Sequence, residues 1–125
     1  MKIISVSAVK GGVGKTTITF NYGEWLSRQG YKVLLIDTDH QCSLSQTYNL
    51  FTNENTIYNA FMNEEVEIHK IHDNLSIIPA SPMLDELEVE LSSKHNKDLL
   101  LMMWLQDNVD RIKEFDFILI DCHPD

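Results

Sequence analysis

Apolar residues fall along this chain in two alternating patterns. Residues 2–9 (KIISVSAV), 32–37 (KVLLID), 75–79 (LSIIP) and 116–121 (DFILID) are short, largely apolar and rich in β-branched side chains. Such runs predict strands buried on both faces of a parallel sheet. Between them the apolar spacing widens to three and four. Ile18, Tyr22, Trp25 and Leu26 recur at helical intervals after Lys15, and Gly30 supplies a stop. Residues 43–50 and 56–62 predict short helices, the second capped by Thr56. Ser81-Pro82 sets a capping serine before a proline at the first helical position, with Leu84, Leu87 and Leu91 lining one face. Residues 98–113 predict a longer helix, apolar nearly all round in its first half and so well buried.

Strands alternating with helices at these spacings predict βαβ units with right-handed crossovers. Ligands in such folds bind beyond the carboxyl ends of the strands. The 125 residues amount to a single domain, residues 1–125, with an ordinary apolar content of 43%. Cys42 and Cys122 lie far apart without CxxC spacing, which argues against a zinc or disulfide framework and for reduced thiols in a cytoplasm. The apolar run at 99–105 is only seven residues long, too short to cross a membrane. A net charge of −9 argues against a broad nucleic-acid-binding face.

The first strand runs into Lys10-Gly11-Gly12-Val13-Gly14-Lys15-Thr16-Thr17, which opens a helix. That is the context a phosphate-binding loop requires. Glycines let successive N–H groups turn inward toward phosphate oxygens, and the helix N-terminus adds partial positive charge. Lys15 is placed to reach the β- and γ-phosphates, and Thr16 to ligate Mg²⁺. The strict pattern GxxxxGK[ST] fails because Val9 stands at its first glycine; the run instead spells KGGxGK[ST], with Lys10 as an additional lysine.

Two strands end in aspartate: Asp37-Thr38-Asp39 and Asp121-Cys122-His123. Apolar strands ending in Asp beside a phosphate loop are where Mg²⁺ and an attacking water are held. Asp121 reads as the carboxylate that holds Mg²⁺ through water. Asp37 and Asp39, two apart, point to opposite sides if the strand continues, which leaves one to face the nucleotide and the other the sheet interior or the next helix. His40 and His123 read as neighbours of this site, and His69 and His72 as solvated. Trp25 and Trp104 read as core, and the cysteines as small buried residues.

Together these motifs resemble the ParA/MinD family of deviant-Walker ATPases, and within it the Soj-like partition proteins. KVLLIDTDHQCSLSQ is similar to the family's second motif, LSIIPAS to its middle strand and FDFILIDCHPD to its Walker B strand. The resemblance implies a P-loop NTPase-like parallel sheet with strand order 3-2-4-1, the strands numbered as in the four runs above. It implies ATP/ADP and Mg²⁺ as cofactors, slow ATP hydrolysis, and a role in plasmid or chromosome partitioning in the cytoplasm. By the same likeness Lys10 reaches a partner's nucleotide across a homodimer, Asp39 orients the hydrolytic water, and Thr16, Asp37 and Asp121 surround Mg²⁺. A ParB-type centromere-binding protein is the implied partner.

His40 stands where the family usually has Pro, Cys42 where it usually has Gly, and His123 where it commonly has Pro. The family also continues well past its Walker B strand, so the expectation is an N-terminal half whose DNA-binding surface lies outside this chain. On that expectation the first strand is an exposed edge through which copies dimerise. The alternative function is a catalytically silent nucleotide-binding or interaction module. A nitrogenase-iron-protein-like reductase is disfavoured, since the two cysteines have no evident placement for a cluster.

Overall fold

The computed structural model describes residues 1–7, 14–50, 52–90 and 94–122. Its elements are β1 (Lys2–Val6), α1 (Lys15–Arg28), β2 (Val33–Asp37), α2 (Ser43–Thr47), α3 (Ile57–Phe61), β3 (His69–His72), β4 (Leu75–Ile78), α4 (Leu84–Glu90), α5 (Lys94–Asp107), α6 (Val109–Ile112) and β5 (Phe117–Asp121). One sheet has the order β1-β5-β2-β4-β3. The four expected strands are parallel neighbours in the expected succession, and the order differs in detail because β3 joins outside β4, antiparallel to it. The sequence HKIH carries one apolar residue in four, too little to signal a strand. A two-residue turn at Asp73-Asn74 folds it back onto β4.

Every residue of β2 is buried, because helices cover both faces of the sheet there. Leu34 and Ile36 join Ile118, Ile120, Leu84, Leu101, Trp104 and Ile112 on the α3–α6 side. Val33 and Leu35 join Leu26, Leu44, Leu75, Ile77 and Leu119 on the α1–α2 side. The alternation of side chains across a strand produces this division. Thr56 caps α3 as expected, in a reciprocal capping box with Asn59.

Three expectations are corrected. β1 is not buried on both faces as its apolar run predicts; it is the exposed edge strand that the family resemblance implies, with most of its residues exposed. Ile18, Tyr22 and Trp25 do not face the core either; Trp25 is 55% exposed and stacks on Tyr22. The inward face of α1 is Thr19, Gly23, Leu26 and Ser27. Small residues let this helix approach the sheet so closely that a Cβ on Gly23 would sit 2.9 Å from Leu35 Cδ2. Bulk is therefore turned outward. The third correction concerns the long helix, which starts at Lys94 and breaks after Asp107. There the Asn108 side chain donates to the Trp104 carbonyl, and α6 begins anew. Trp104 is core, but Leu99, Met102 and Met103 are exposed on the outer face of α5.

Candidate functional site

The register of the sheet places Asp37 opposite Asp121, and Asp121 opposite Val6, so three carboxyl ends finish level. Gly14, with φ of 85°, turns the chain into α1 above them. That left-handed conformation suits glycine because it has no Cβ to clash. The helix has no side-chain cap at this end, and its first turn presents Lys15, Thr16 and Thr17.

Lys15 is buried, and its Nζ donates to Asp121 Oδ1 at 2.6 Å while lying 3.4 Å from Asp39 Oδ2. Thr16 Oγ1 donates to Asp121 Oδ2 at 3.3 Å. Thr19, one helical turn after Lys15, shares its single hydroxyl proton between the Lys15 carbonyl at 3.1 Å and Asp121 Oδ1 at 3.3 Å. Two buried carboxylates thus share one buried ammonium. Removing one partner of such a group typically costs about 3–5 kcal/mol, because the remaining charge is left uncompensated.

Asp37 and Asp39 do face different ways. Asp37 Oδ2 accepts the Ser45 N–H at 2.9 Å and the Ser45 hydroxyl at 2.7 Å, and its Oδ1 accepts the Asp39 N–H at 3.1 Å. Burial raises the Asp37 carboxyl from 3.8 to about 6, and Asp121 nearby adds to the rise against these hydrogen bonds. Asp39 turns toward Lys15, with its Oδ1 accepting the Gln41 N–H at 3.0 Å. His40 Nδ1 lies 4.0 Å from the same oxygen. Thr38 ties the two strand ends together: its N–H and its hydroxyl both donate to the Asp121 carbonyl, at 3.0 and 2.9 Å.

Cys42 adopts φ of 58°, the left-handed region that favours glycine. Its N–H donates to the Asp39 carbonyl, and burial pushes its thiol up to about 11, with Asp37 and Asp39 adding to the rise. Both cysteines are buried, as expected. His69 and His72 each pair with a glutamate, Glu67 and Glu24 respectively.

The structure therefore brings together Lys15, Thr16, Asp39 and Asp121, with Asp37 behind them. Thr17 is exposed beside Gly14 in the first turn of α1. Lys10, Gly11, Gly12, Val13 and His123 lie outside the described residues. Thr19, Thr38, Ser45 and Lys97 were missed by the sequence reading. Thr19 had a signal, its helical spacing from Lys15. Ser45 lies inside the run at 32–46 but nothing there marks it as a partner of Asp37, and Lys97 is brought in from a position with no local motif, donating to the Thr38 carbonyl at 2.8 Å.

Parallel strands ending in aspartate around a glycine-led helix start define a P-loop NTPase-like α/β domain. The AAA domain family model AAA_31 matches residues 1–125, and the chain belongs to that family. It is 39% identical to the chromosome-partitioning ATPase Soj of Treponema pallidum, over 92% of this chain and 46% of that protein. A protein assigned to plasmid partition in Borrelia burgdorferi B31, solved bound to AMPPNP, superposes with a TM-score of 0.84 at 30% identity, over 99% of this chain and 54% of that one. Cobyrinic acid a,c-diamide synthase of Mycobacterium smegmatis, solved with ADP and magnesium, gives a TM-score of 0.83 at 26% identity, over 100% and 52% of the two chains. The chain spans about half the length, or less, of the curated relatives it matches. No helix among the described residues is long and apolar enough to cross a membrane.

Proposed function

We propose that this chain binds Mg-ATP and carries the hydrolytic site of a cytoplasmic partition ATPase with a deviant Walker loop. The observation that carries the reading is the buried Lys15 ammonium held between Asp121 and Asp39, with Thr16 on the same carboxylate, at the start of α1. The residues fit the cofactor. Thr16 Oγ1 and Asp121 are hard oxygen donors suited to Mg²⁺, and Asp37 retains acceptor capacity on Oδ1 for a metal-bound water. Lys10, Gly11, Gly12, Val13, Gly14, Lys15, Thr16 and Thr17 form the phosphate-binding loop. Bound Mg²⁺ supplies charge neutralisation on the phosphate oxygens.

Lys15 exchanges a carboxylate for a phosphate oxygen when nucleotide binds. That frees Asp39, already fixed by the Gln41 N–H, to orient a water. Lys10 serves a homodimeric partner's nucleotide, and a ParB-type protein stimulates turnover.

Calorimetric titration with Mg-ATP should give saturable heat that Lys15→Ala abolishes and EDTA weakens. Absence of heat in a folded parent chain would defeat the proposal. Tight binding without phosphate release would instead assign the silent nucleotide-binding module.

A further inference from the structure

Lys97 is a buried cation that the phosphate site does not use directly. It rises from α5, on the opposite side of the sheet from α1, and its Nζ donates 2.8 Å to the carbonyl of Thr38. That carbonyl belongs to the one residue between Asp37 and Asp39. The other polar groups of Thr38 are committed to the Asp121 carbonyl, so the residue is held from two directions. The lysine makes this contact beside a cavity of about 200 Å³ between α5 and the strand ends, lined by Ser5, Thr38, Leu101, Ile120 and Cys122 among others. A buried lysine is costly, and an apolar side chain would suit such an interior better if packing were its only task.

We infer that Lys97 is a positioning residue: by fixing the Thr38 carbonyl it sets the peptide that aims Asp39, and so couples α5 to the hydrolytic site. The inference rests on the ATPase reading for its catalytic consequence, but not for its structural one. Beyond Asp39 the chain turns at Cys42, whose N–H holds the Asp39 carbonyl and whose thiol is buried. Protection of that thiol therefore reports whether the segment from Thr38 to Cys42 is held.

The test compares Lys97→Met, which keeps the length and loses the donor, with Lys97→Arg, which keeps a donor. Alkylation of Cys42 is followed by peptide mapping, to separate it from Cys122, alongside thermal melting. Lys97→Met should speed Cys42 alkylation at least about tenfold with melting still cooperative, and Lys97→Arg should restore most of the protection. In phosphate release, Lys97→Met should lower kcat about tenfold or more at nearly unchanged KM. Unchanged Cys42 protection in a folded Lys97→Met chain overturns the inference, as does unchanged kcat in a parent that turns over. A parent that neither binds nor hydrolyses ATP defeats the proposed function instead, and the alkylation comparison still decides the role of Lys97. If Lys97→Met does not fold, failure of Lys97→Arg to keep Cys42 protected decides against it.

Discussion

At Asp37 the cost of burial is larger than the help from its hydrogen bonds. Its carboxyl titrates near 6 in the fold and 3.8 outside it, so between those values the folded chain holds more protons than the unfolded one. Stability must then fall as pH rises through the window from about 4 to 6, by roughly 3 kcal/mol if Asp37 acts alone. Asp37→Asn removes the titrating charge and keeps acceptor capacity toward Ser45. In metal-free buffer it should raise the melting temperature at pH 7.5 and flatten the slope between pH 4 and 6. A parent chain with no such slope in EDTA would refute this account. The same residue shows what was legible in the sequence. Lys15, Asp39 and Asp121 stand out in the sequence by their places at strand and helix ends, and the fold brings the three together. That Asp37 would look inward to Ser45, and that Thr38 would bolt two strands together, depend on backbone direction after a strand ends, which no local pattern specifies.

At the scale of elements, periodicity located each of the four parallel strands and the main helices but misjudged which helix face is buried. A hydrophobic stripe predicts the inward face only where bulk fills the space between helix and sheet. In α1 the approach is too close for bulk, and Gly23 carries the contact with Leu35. Gly23→Val should therefore destabilise the fold by about 2–3 kcal/mol, since a branched side chain must displace a fully buried leucine. Urea denaturation would measure it. An unchanged midpoint would mean that α1 can back away from the sheet, and the close approach would then not be required. Trp25→Lys on the outer face is the matched control, expected to change stability by about 0.5 kcal/mol or less. The short β3 was illegible for a different reason: its partner strand and turn, not its own composition, make it a strand.

For the whole molecule the two sheet edges are unequal. β3 is short, carries Lys70 and two histidines, and is a poor template for another strand. β1 is parallel to β5 on one side and has no strand on its other side among the described residues. Its single charged residue is Lys2. Exposed edges of this kind pair with other chains unless charge or bulges prevent it. The opposing term is the net charge of −9, which makes copies repel. Self-association through β1 should therefore strengthen with added salt, as screening removes the repulsion and leaves backbone pairing intact. Sedimentation velocity should show mass rising with concentration, more steeply at high salt, and Ile3→Lys should suppress it without lowering the melting temperature. Suppression by Trp25→Lys but not by Ile3→Lys would move the contact to the outer face of α1, where Ile18, Tyr22 and Trp25 are exposed. A single monomeric species at every concentration and salt would rule out both faces, and would leave the partner's nucleotide beyond the reach of Lys10.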